Sequence, residues 1–153
     1  MQVIVVYESK YGNTKRAAET IIEGIKEIEG VKASLGGPKE IDLSTILKYD
    51  AIVIGSPNHM GGPTKGIKSF IDTLSKYQLK GKKFAVLDTY MGKDFKKAVK
   101  KMEKRISEKL PELKQITSGL SVRVQGMKGP IAESELLKCK EFGKKIATQL
   151  KSG

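Results

Sequence analysis

Short apolar runs alternate along the chain with longer segments in which apolar residues recur every three to four positions. The continuous runs have the length and composition of strands that are buried on both faces of a parallel sheet. One further candidate strand is weak, and another is interrupted at Ser118-Gly119. The five predicted strands cover residues 3–6, 31–35, 51–54, 84–87 and 115–124.

The longer segments place their apolar residues on one helical face, with the period of about 3.6 residues that packing on a sheet requires. The inward residues include Phe95 in the third segment and the only cysteine, Cys139, in the last. We expect this thiol to pack in the core rather than to carry out redox chemistry. Helices are predicted over residues 14–28, 64–76, 94–109 and 133–151, with a short one over 43–47.

This alternation predicts an α/β fold, a doubly wound parallel sheet of five strands with helices on both faces. The chain of 153 residues fits a single domain over 1–153, without a linker or an internal repeat. Ligands of such sheets bind beyond the carboxyl ends of the strands, where the strand order switches. The loops that follow apolar strands should therefore gather at one edge, and they are residues 8–14, 55–63 and 88–93.

The first of these loops combines hydroxyl groups with a glycine directly before a helix. Backbone N–H groups at a helix N-terminus, with the Ser9 and Thr14 hydroxyls and Asn13, would make a favourable phosphate site. Lys10 adds a positive charge at the surface. The loop has no Walker A lysine and no G-x-G-x-x-G, so we expect neither nucleotide hydrolysis nor a conventional dinucleotide site. Taken alone, it is also compatible with a plain connection between a strand and a helix.

The second and third loops offer a place for a flat ring. Glycines and prolines shape residues 55–63 and let the backbone approach a ligand closely. The third loop sets Tyr90 beside polar groups. A planar ring would fit between Tyr90 on one side and His59 or Met60 on the other. Because His59 has no cysteine or second histidine near it in sequence, we expect no metal site.

Together, the three loops resemble those of the flavodoxin family. The pattern Ser9-x-x-Gly12-Asn13-Thr14 looks like the family's FMN-phosphate loop. Gly55-Ser56-Pro57 followed by Met60-Gly61-Gly62 looks like its first isoalloxazine loop, and the segment after Leu87 stands in the place of the second. The resemblance covers essentially the whole chain, because the turn and helix at the end also match flavodoxin domains of this length.

The resemblance implies a flavodoxin-like sheet in the strand order 2-1-3-4-5, with FMN as the cofactor. It also implies that the backbone of the second loop hydrogen-bonds flavin N5 and changes conformation on reduction. No catalytic residue or metal ligand is implied. The cofactor-binding residues that it implies are Ser9, Lys10, Tyr11, Gly12, Asn13, Thr14, Pro57, Asn58, His59, Met60, Gly61, Gly62, Thr89, Tyr90, Met91 and Gly92.

The charge departs from the family, whose typical members are strongly acidic. Lysine and arginine number 29 against 17 aspartates and glutamates, a net charge of +12, and tryptophan is absent. Either this is a solvated lysine-rich surface of the kind found in thermophiles, or it attracts an acidic protein or anionic ligand. We do not expect nucleic-acid binding, because no basic stripe is interleaved with aromatic residues.

Two functional hypotheses follow from the resemblance. The first is an FMN-binding electron-transfer protein, a flavoprotein whose partners are other redox proteins, with no substrate of its own. The alternative is an FMN-dependent NAD(P)H, quinone or porphyrinogen oxidoreductase on the same fold. The absence of an obvious nicotinamide-nucleotide motif favours the carrier. We expect no membrane span and a cytoplasmic location, since no apolar run approaches about 20 residues and the single cysteine suits a reducing compartment.

Overall fold

A computed structural model of the chain describes all residues from 1 to 153. The strands are β1 Gln2–Tyr7, β2 Lys32–Gly36, β3 Ala51–Pro57, β4 Lys83–Tyr90, β5 Lys114–Gln115 and β6 Leu120–Arg123. The helices are α1 Asn13–Lys26, α2 Lys65–Leu74, α3 Lys97–Lys109 and α4 Glu133–Ser152, with a short 3₁₀ helix at Leu43–Lys48.

All strand pairs in the sheet are parallel, and the order is β2-β1-β3-β4-β5, with β6 also paired to β4. The short strand β5 pairs with the beginning of β4, where Lys83 lies opposite Lys114. The strand β6 pairs with its end, where Leu87 lies opposite Leu120. Together they fill the fifth position as one interrupted strand, which confirms the predicted break and the order 2-1-3-4-5.

The sheet is covered on both faces, so its central strands are apolar except toward their ends. Alternate residues of a strand point to opposite sides. Val3 and Val5 pack with α1 and α4, whereas Ile4 and Val6 pack with α2 and α3. Helices α1 and α4 also pack closely against each other. Their backbones are so near at Gly143 that a Cβ atom there would collide with the backbone carbonyl of Ile21. The two cores hold the sheet rigid beneath the edge at which the loops emerge.

Three sequence predictions need correction at that edge. The β3–β4 ladder continues to the pair Pro57–Thr89, so the starts of the second and third predicted loops are strand. Helix α3 begins at Lys97 rather than at residue 94, because Lys96 takes a left-handed conformation with φ 61°. Phe95 therefore lies in a turn before the helix and is 53% exposed instead of buried. Its sequence position fits the helical period, but the backbone there is not helical.

No helix of the chain combines the length and the apolar composition needed to cross a membrane. Cys139 is fully buried in α4, as predicted, and burial raises the pKa of its thiol to about 12. A thiol with so high a pKa is almost wholly protonated at neutral pH and therefore a poor nucleophile.

An ion-pair cluster links α2 to α3. The Arg105 guanidinium donates from Nε and Nη2 to the Asp72 carboxylate at 2.8 and 2.6 Å, and Lys109 Nζ lies 3.1 Å from the same carboxylate. These hydrogen bonds, from Arg105 above all, lower the pKa of Asp72 to about 2. A folded-state pKa below the unfolded value means that the cluster stabilises the fold above about pH 4. That contribution is lost as the pH falls through about 2.

Replacing Asp72 with asparagine should therefore lower the free energy of unfolding at pH 7. We expect a loss of about 1 kcal/mol or less, because the partly exposed pair is screened by solvent. Urea denaturation at pH 7, 4 and 2 should show the difference from wild type shrinking toward pH 2. Glu112→Gln, at an exposed carboxylate without an ion pair, is the matched control. A deficit in Asp72→Asn that stayed constant down to pH 2 would contradict the assignment.

Candidate functional site

A cleft of about 290 Å³ opens at the carboxyl ends of β1, β3 and β4. The strand order switches at this point. Strand β2 lies on one side of β1, and β3, which follows β2 along the chain, lies on the other side. Eleven of the sixteen predicted cofactor residues line it, namely Ser9, Lys10, Tyr11, Asn13, Thr14, Pro57, Asn58, His59, Thr89, Tyr90 and Met91. The other five, Gly12, Met60, Gly61, Gly62 and Gly92, lie outside the lining.

The first loop leaves the N-terminus of α1 open toward the cleft. Gly12 has φ 92°, a left-handed conformation that glycine adopts without strain, and no side chain caps the helix. Gly12 N–H donates to Ser9 Oγ at 3.0 Å. The backbone N–H groups of Asn13, Thr14 and Lys15 donate to no group of the protein. Unpaired donors at the positive end of a helix dipole favour an anion.

At the starts of α2 and α3, which also begin at this edge, side chains accept backbone N–H groups. Thr64 Oγ1 accepts from Ile67 N–H at 3.2 Å at the start of α2, and its hydroxyl donates to the Glu8 carboxylate. At the start of α3, Ala98 N–H donates to Asn58 Oδ1 at 3.0 Å, and Val99 N–H donates to the Asp88 carboxylate at 2.9 Å. Among these three helices, only α1 has no side chain that accepts from the N–H groups of its first residues.

The Thr14 and Asn13 side chains connect the first loop to its neighbours. Thr14 is 1% exposed at the floor of the cleft, and its Oγ1 lies 2.9 Å from Thr89 Oγ1 on β4. The Asn13 amide donates from Nδ2 to the Met127 carbonyl at 2.9 Å. The amide nitrogen of Asn13 therefore ties the first loop to the segment after β6, a role that its sequence position did not reveal.

The second loop ends in a tight turn over residues 59–62. His59 N–H donates to the Gly62 carbonyl at 2.7 Å, and Gly62 N–H donates back at 3.2 Å. The two central residues, Met60 and Gly61, have φ values of 52° and 74°, as in the turns that close two-residue hairpins. Met60 is 93% exposed. The turn thus presents its central peptide at the surface beside the cleft, while the exposed ring of His59 lies at the cleft wall.

The third loop contributes an aromatic wall. Tyr90 and Met91 line the cleft, and the Tyr90 ring packs edge to face against Phe95 with a centroid distance of 5.3 Å. Gly92, which lies outside the lining, has φ 60° and turns the chain toward α3. The exposed Phe95, wrongly predicted to be in the core, therefore supports a residue of the cleft.

Sequence reasoning missed one wall of the cleft. Three of the missed lining residues come from the segment after β6, and two come from the ends of the second and third loops. The sequence did contain a signal for this wall. The predicted strand 115–124 also ends at the carboxyl edge, so the loop that follows it should border a ligand just as the other three loops do. The missed lining residues are Thr64, Asp94, Val124, Gly126 and Met127.

Comparison with known proteins identifies the class to which this fold and cleft belong. The sequence profile of flavodoxins matches residues 5–128, and the chain belongs to the flavodoxin family. A solved archaeal flavodoxin superposes with a TM-score of 0.86 at 26% identity, over 99% of both chains.

Curated relatives match over shorter stretches. The flavodoxin of Aquifex aeolicus is 35% identical over 71 residues, which is 46% of this chain and 38% of the relative. An NAD(P)H dehydrogenase (quinone) of Geotalea daltonii is 30% identical over 105 residues, 53% of this chain and 51% of the relative. The chain therefore spans about half or less of the curated relatives that it matches.

Membership of the flavodoxin family implies FMN binding, and the residues of the cleft fit that cofactor. The free N–H groups at the start of α1 suit a phosphate. The Tyr90, His59 and Pro57 side chains lie around the same cleft, and the aromatic rings of Tyr90 and His59 suit a planar ligand ring.

Thr14→Val tests the phosphate end of this cleft. The hydroxyl lies at the cleft floor beside the free N–H groups, and losing a hydrogen bond to a charged group should weaken FMN binding by about 1.5–3 kcal/mol. FMN titration followed by fluorescence quenching would measure the change. Thr20→Val removes a buried hydroxyl from the same helix, one that bonds only the Arg16 carbonyl, and should leave affinity unchanged. Equal affinity in both variants would remove Thr14 from the phosphate site.

Proposed function

We propose that this protein binds FMN in the cleft and carries single electrons between redox proteins. The observation that carries the proposal is the uncapped N-terminus of α1, the one start among α1, α2 and α3 at which no side chain accepts an N–H of the first helical residues. It faces the same cleft as Tyr90 and His59, so an anion site and a ring site adjoin. When bound, FMN supplies the electron-carrying chemistry, and the protein supplies binding, orientation and charge.

Each predicted residue has a place in this proposal. Ser9, Gly12, Asn13 and Thr14 shape the phosphate end, where Ser9 holds the turn and the backbone donates. Lys10 and Tyr11 line the adjoining wall, with Lys10 Nζ 5.5 Å from the Tyr11 ring centroid. The ring end is assigned to Pro57, Asn58, His59, Met60, Gly61, Gly62, Thr89, Tyr90, Met91 and Gly92.

The turn over residues 59–62 is the element we assign to the redox-sensitive contact. Its central peptide, between Met60 and Gly61, is exposed and takes part in neither of the two hydrogen bonds that close the turn. Glycine at the second central position lets that peptide rotate with little steric cost. The turn can therefore present either an N–H or a carbonyl toward the cleft, which suits a ligand atom that changes its protonation.

A second candidate function is supported by similarity to the NAD(P)H dehydrogenase (quinone) of Geotalea daltonii over about half of the chain. An enzyme of that kind needs room for a second substrate above the ring. The stronger support lies with the carrier, because the archaeal flavodoxin matches over the whole length of both chains.

An absorbance spectrum and two titrations test the proposal and separate the candidates. We expect the protein to bind FMN at one molecule per chain, with the visible bands of a bound flavin. NAD(P)H alone should leave the bound flavin oxidised, because a carrier receives electrons from a protein partner. Rapid bleaching by NAD(P)H would favour the dehydrogenase. A colourless protein that takes up no FMN would end both flavin hypotheses and leave a small-anion or scaffold module.

We further propose that the electron partner is an acidic protein that docks over the mouth of the cleft. Five of the nine large, exposed apolar side chains of the molecule lie in or beside the cleft. Apolar residues that gather at one site mark an interaction surface. These five, Tyr11, Met60, Met91, Phe95 and Met127, are called the cleft collar here.

Lysines border the cleft collar. Lys10 lies over the Tyr11 ring and Lys96 over the Phe95 ring, at 5.5 and 5.3 Å from the centroids. Lys93 and Lys128 are exposed close by in sequence, and the whole chain carries +12. Such a rim raises the association rate of an acidic partner and disfavours a basic one.

Electron transfer to an acidic acceptor such as a ferredoxin-type protein should slow as salt rises, because screening weakens the attraction. The substitution Lys93→Glu should slow it further at low salt, as followed by stopped-flow absorbance. Lys114→Glu makes the same charge change at the opposite end of the sheet and should have a smaller effect. Equal effects of the two variants would mean that only net charge matters and that the collar is not the docking surface.

A further inference from the structure

The buried carboxylate of Asp88 has no part in the proposed binding of FMN. Asp88 lies on β4 and is 0% exposed, with its side chain on the face covered by α3. Its neighbour Thr89 points to the opposite face, where it meets Thr14. A buried carboxylate is costly unless hydrogen bonds compensate for its lost hydration, so its partners indicate what it is for.

Two donors from different segments meet this carboxylate. Val99 N–H, in the first turn of α3, donates to Oδ2 at 2.9 Å. The Ser121 hydroxyl, on β6, donates to Oδ1 at 2.5 Å and accepts from Lys96 N–H at 2.9 Å. Burial raises the pKa of Asp88, against the opposing effect of these bonds. Asp88 and Ser121 together thus hold two backbone donors at the start of α3.

Asn58 holds the same helix start from the second loop. Its Oδ1 accepts from Ala98 N–H at 3.0 Å, while its Nδ2 and its backbone N–H both donate to the Thr89 carbonyl at 3.1 and 3.0 Å. The N–H groups at the start of α3 are therefore divided among Asn58, Asp88 and Ser121. These three residues come from three different segments of the chain.

The turn over residues 59–62 packs against side chains of α3, the helix whose start this network fixes. A Cβ atom on Gly61 would lie 3.6 Å from Lys97 Cδ, and one on Gly62 would lie 3.2 Å from Lys101 Cδ. On the other side, the segment that carries Met91 and Phe95 runs directly into the start of α3. Both segments that border the ring end of the cleft are thus attached to one helix terminus.

We propose that Asp88 is a positioning residue that fixes residues 58–62 and 91–96 relative to each other through the start of α3. The proposal rests on the proposed function in one respect, since the gap between these segments is the place assigned to the flavin ring. Asp88 does not line the cleft itself. It acts through its hydrogen bonds with Val99 N–H and the Ser121 hydroxyl. Through the start of α3, these bonds set the distance between the two segments that border the ring site.

Two variants test this role. Asp88→Asn keeps the shape and removes the charge and one acceptor, whereas Ser121→Ala keeps the charge and removes two bonds, one to Asp88 and one from Lys96 N–H. Asp42→Asn is the matched control, because Asp42 also accepts from a serine hydroxyl and a backbone N–H at a helix start, but in an exposed position. Should Asp88→Asn fail to fold, Ser121→Ala decides the outcome.

The first measurement is amide hydrogen exchange of the protein without FMN. We expect exchange to quicken about tenfold or more at residues 59–62 and 92–98, and not at the hydrogen-bonded amides of α1 from residue 16 onward, because a lost bond of this kind loosens only the groups it held. Asp42→Asn should show neither change. Unchanged exchange at both segments, with only a fall in global stability, would reduce Asp88 to a residue that stabilises the fold and would overturn the proposal.

The second measurement is the FMN dissociation constant with the visible spectrum of the bound flavin. Both variants should bind FMN about tenfold more weakly and shift its absorbance bands, because the ring site loses its fixed spacing. Quickened exchange with unchanged affinity and spectrum would also overturn the proposal. If the wild type binds no FMN, the proposed function fails, and the exchange experiment still decides whether Asp88 holds the two segments together.

Discussion

The parallel ladder of β1, β3 and β4 is the constraint on which the rest of the molecule depends. Parallel strands cannot be joined by tight hairpins, so each must be followed by a crossing helix on one face or the other. Both faces are then covered, and the central strands are apolar except toward their ends. As a consequence, the strand ends and the first turns of the helices α1, α2 and α3 meet at one edge.

The hydrogen-bond partners of the backbone N–H groups differ among these helix starts, and the difference indicates which start serves a ligand. The start of α2 is closed by Thr64, and that of α3 by Asn58, Asp88 and Ser121. The start of α1 follows Gly12 and has no such partner. A fold normally satisfies its backbone donors. An open N-terminus beside a cleft therefore points to a ligand more strongly than the hydroxyl-rich sequence of the loop does.

Particular residues mark how far the sequence carried the prediction. The apolar runs gave the strands, and the break at Ser118-Gly119 correctly divided the fifth into β5 and β6. Phe95 fits the helical period of α3 yet lies outside it, because periodicity cannot see that Lys96 turns left-handed. The wall formed by Val124, Gly126 and Met127 was missed because it is distant in sequence from the other three loops.

The sequence by itself determined the fold class, the strand order through its family, and the positions of three ligand-facing loops. The fold class and the loop positions follow from local patterns of hydrophobicity and from glycines at turns, whereas the strand order came from the family resemblance. Only the tertiary structure decided which helix start stays open, and that Asn13 bonds the Met127 carbonyl. Only it brought Asp88 into contact with Val99 and Ser121. These contacts join segments that are distant in sequence. Whether a given donor finds an acceptor depends on where the folded chain places both groups, and local sequence does not show this.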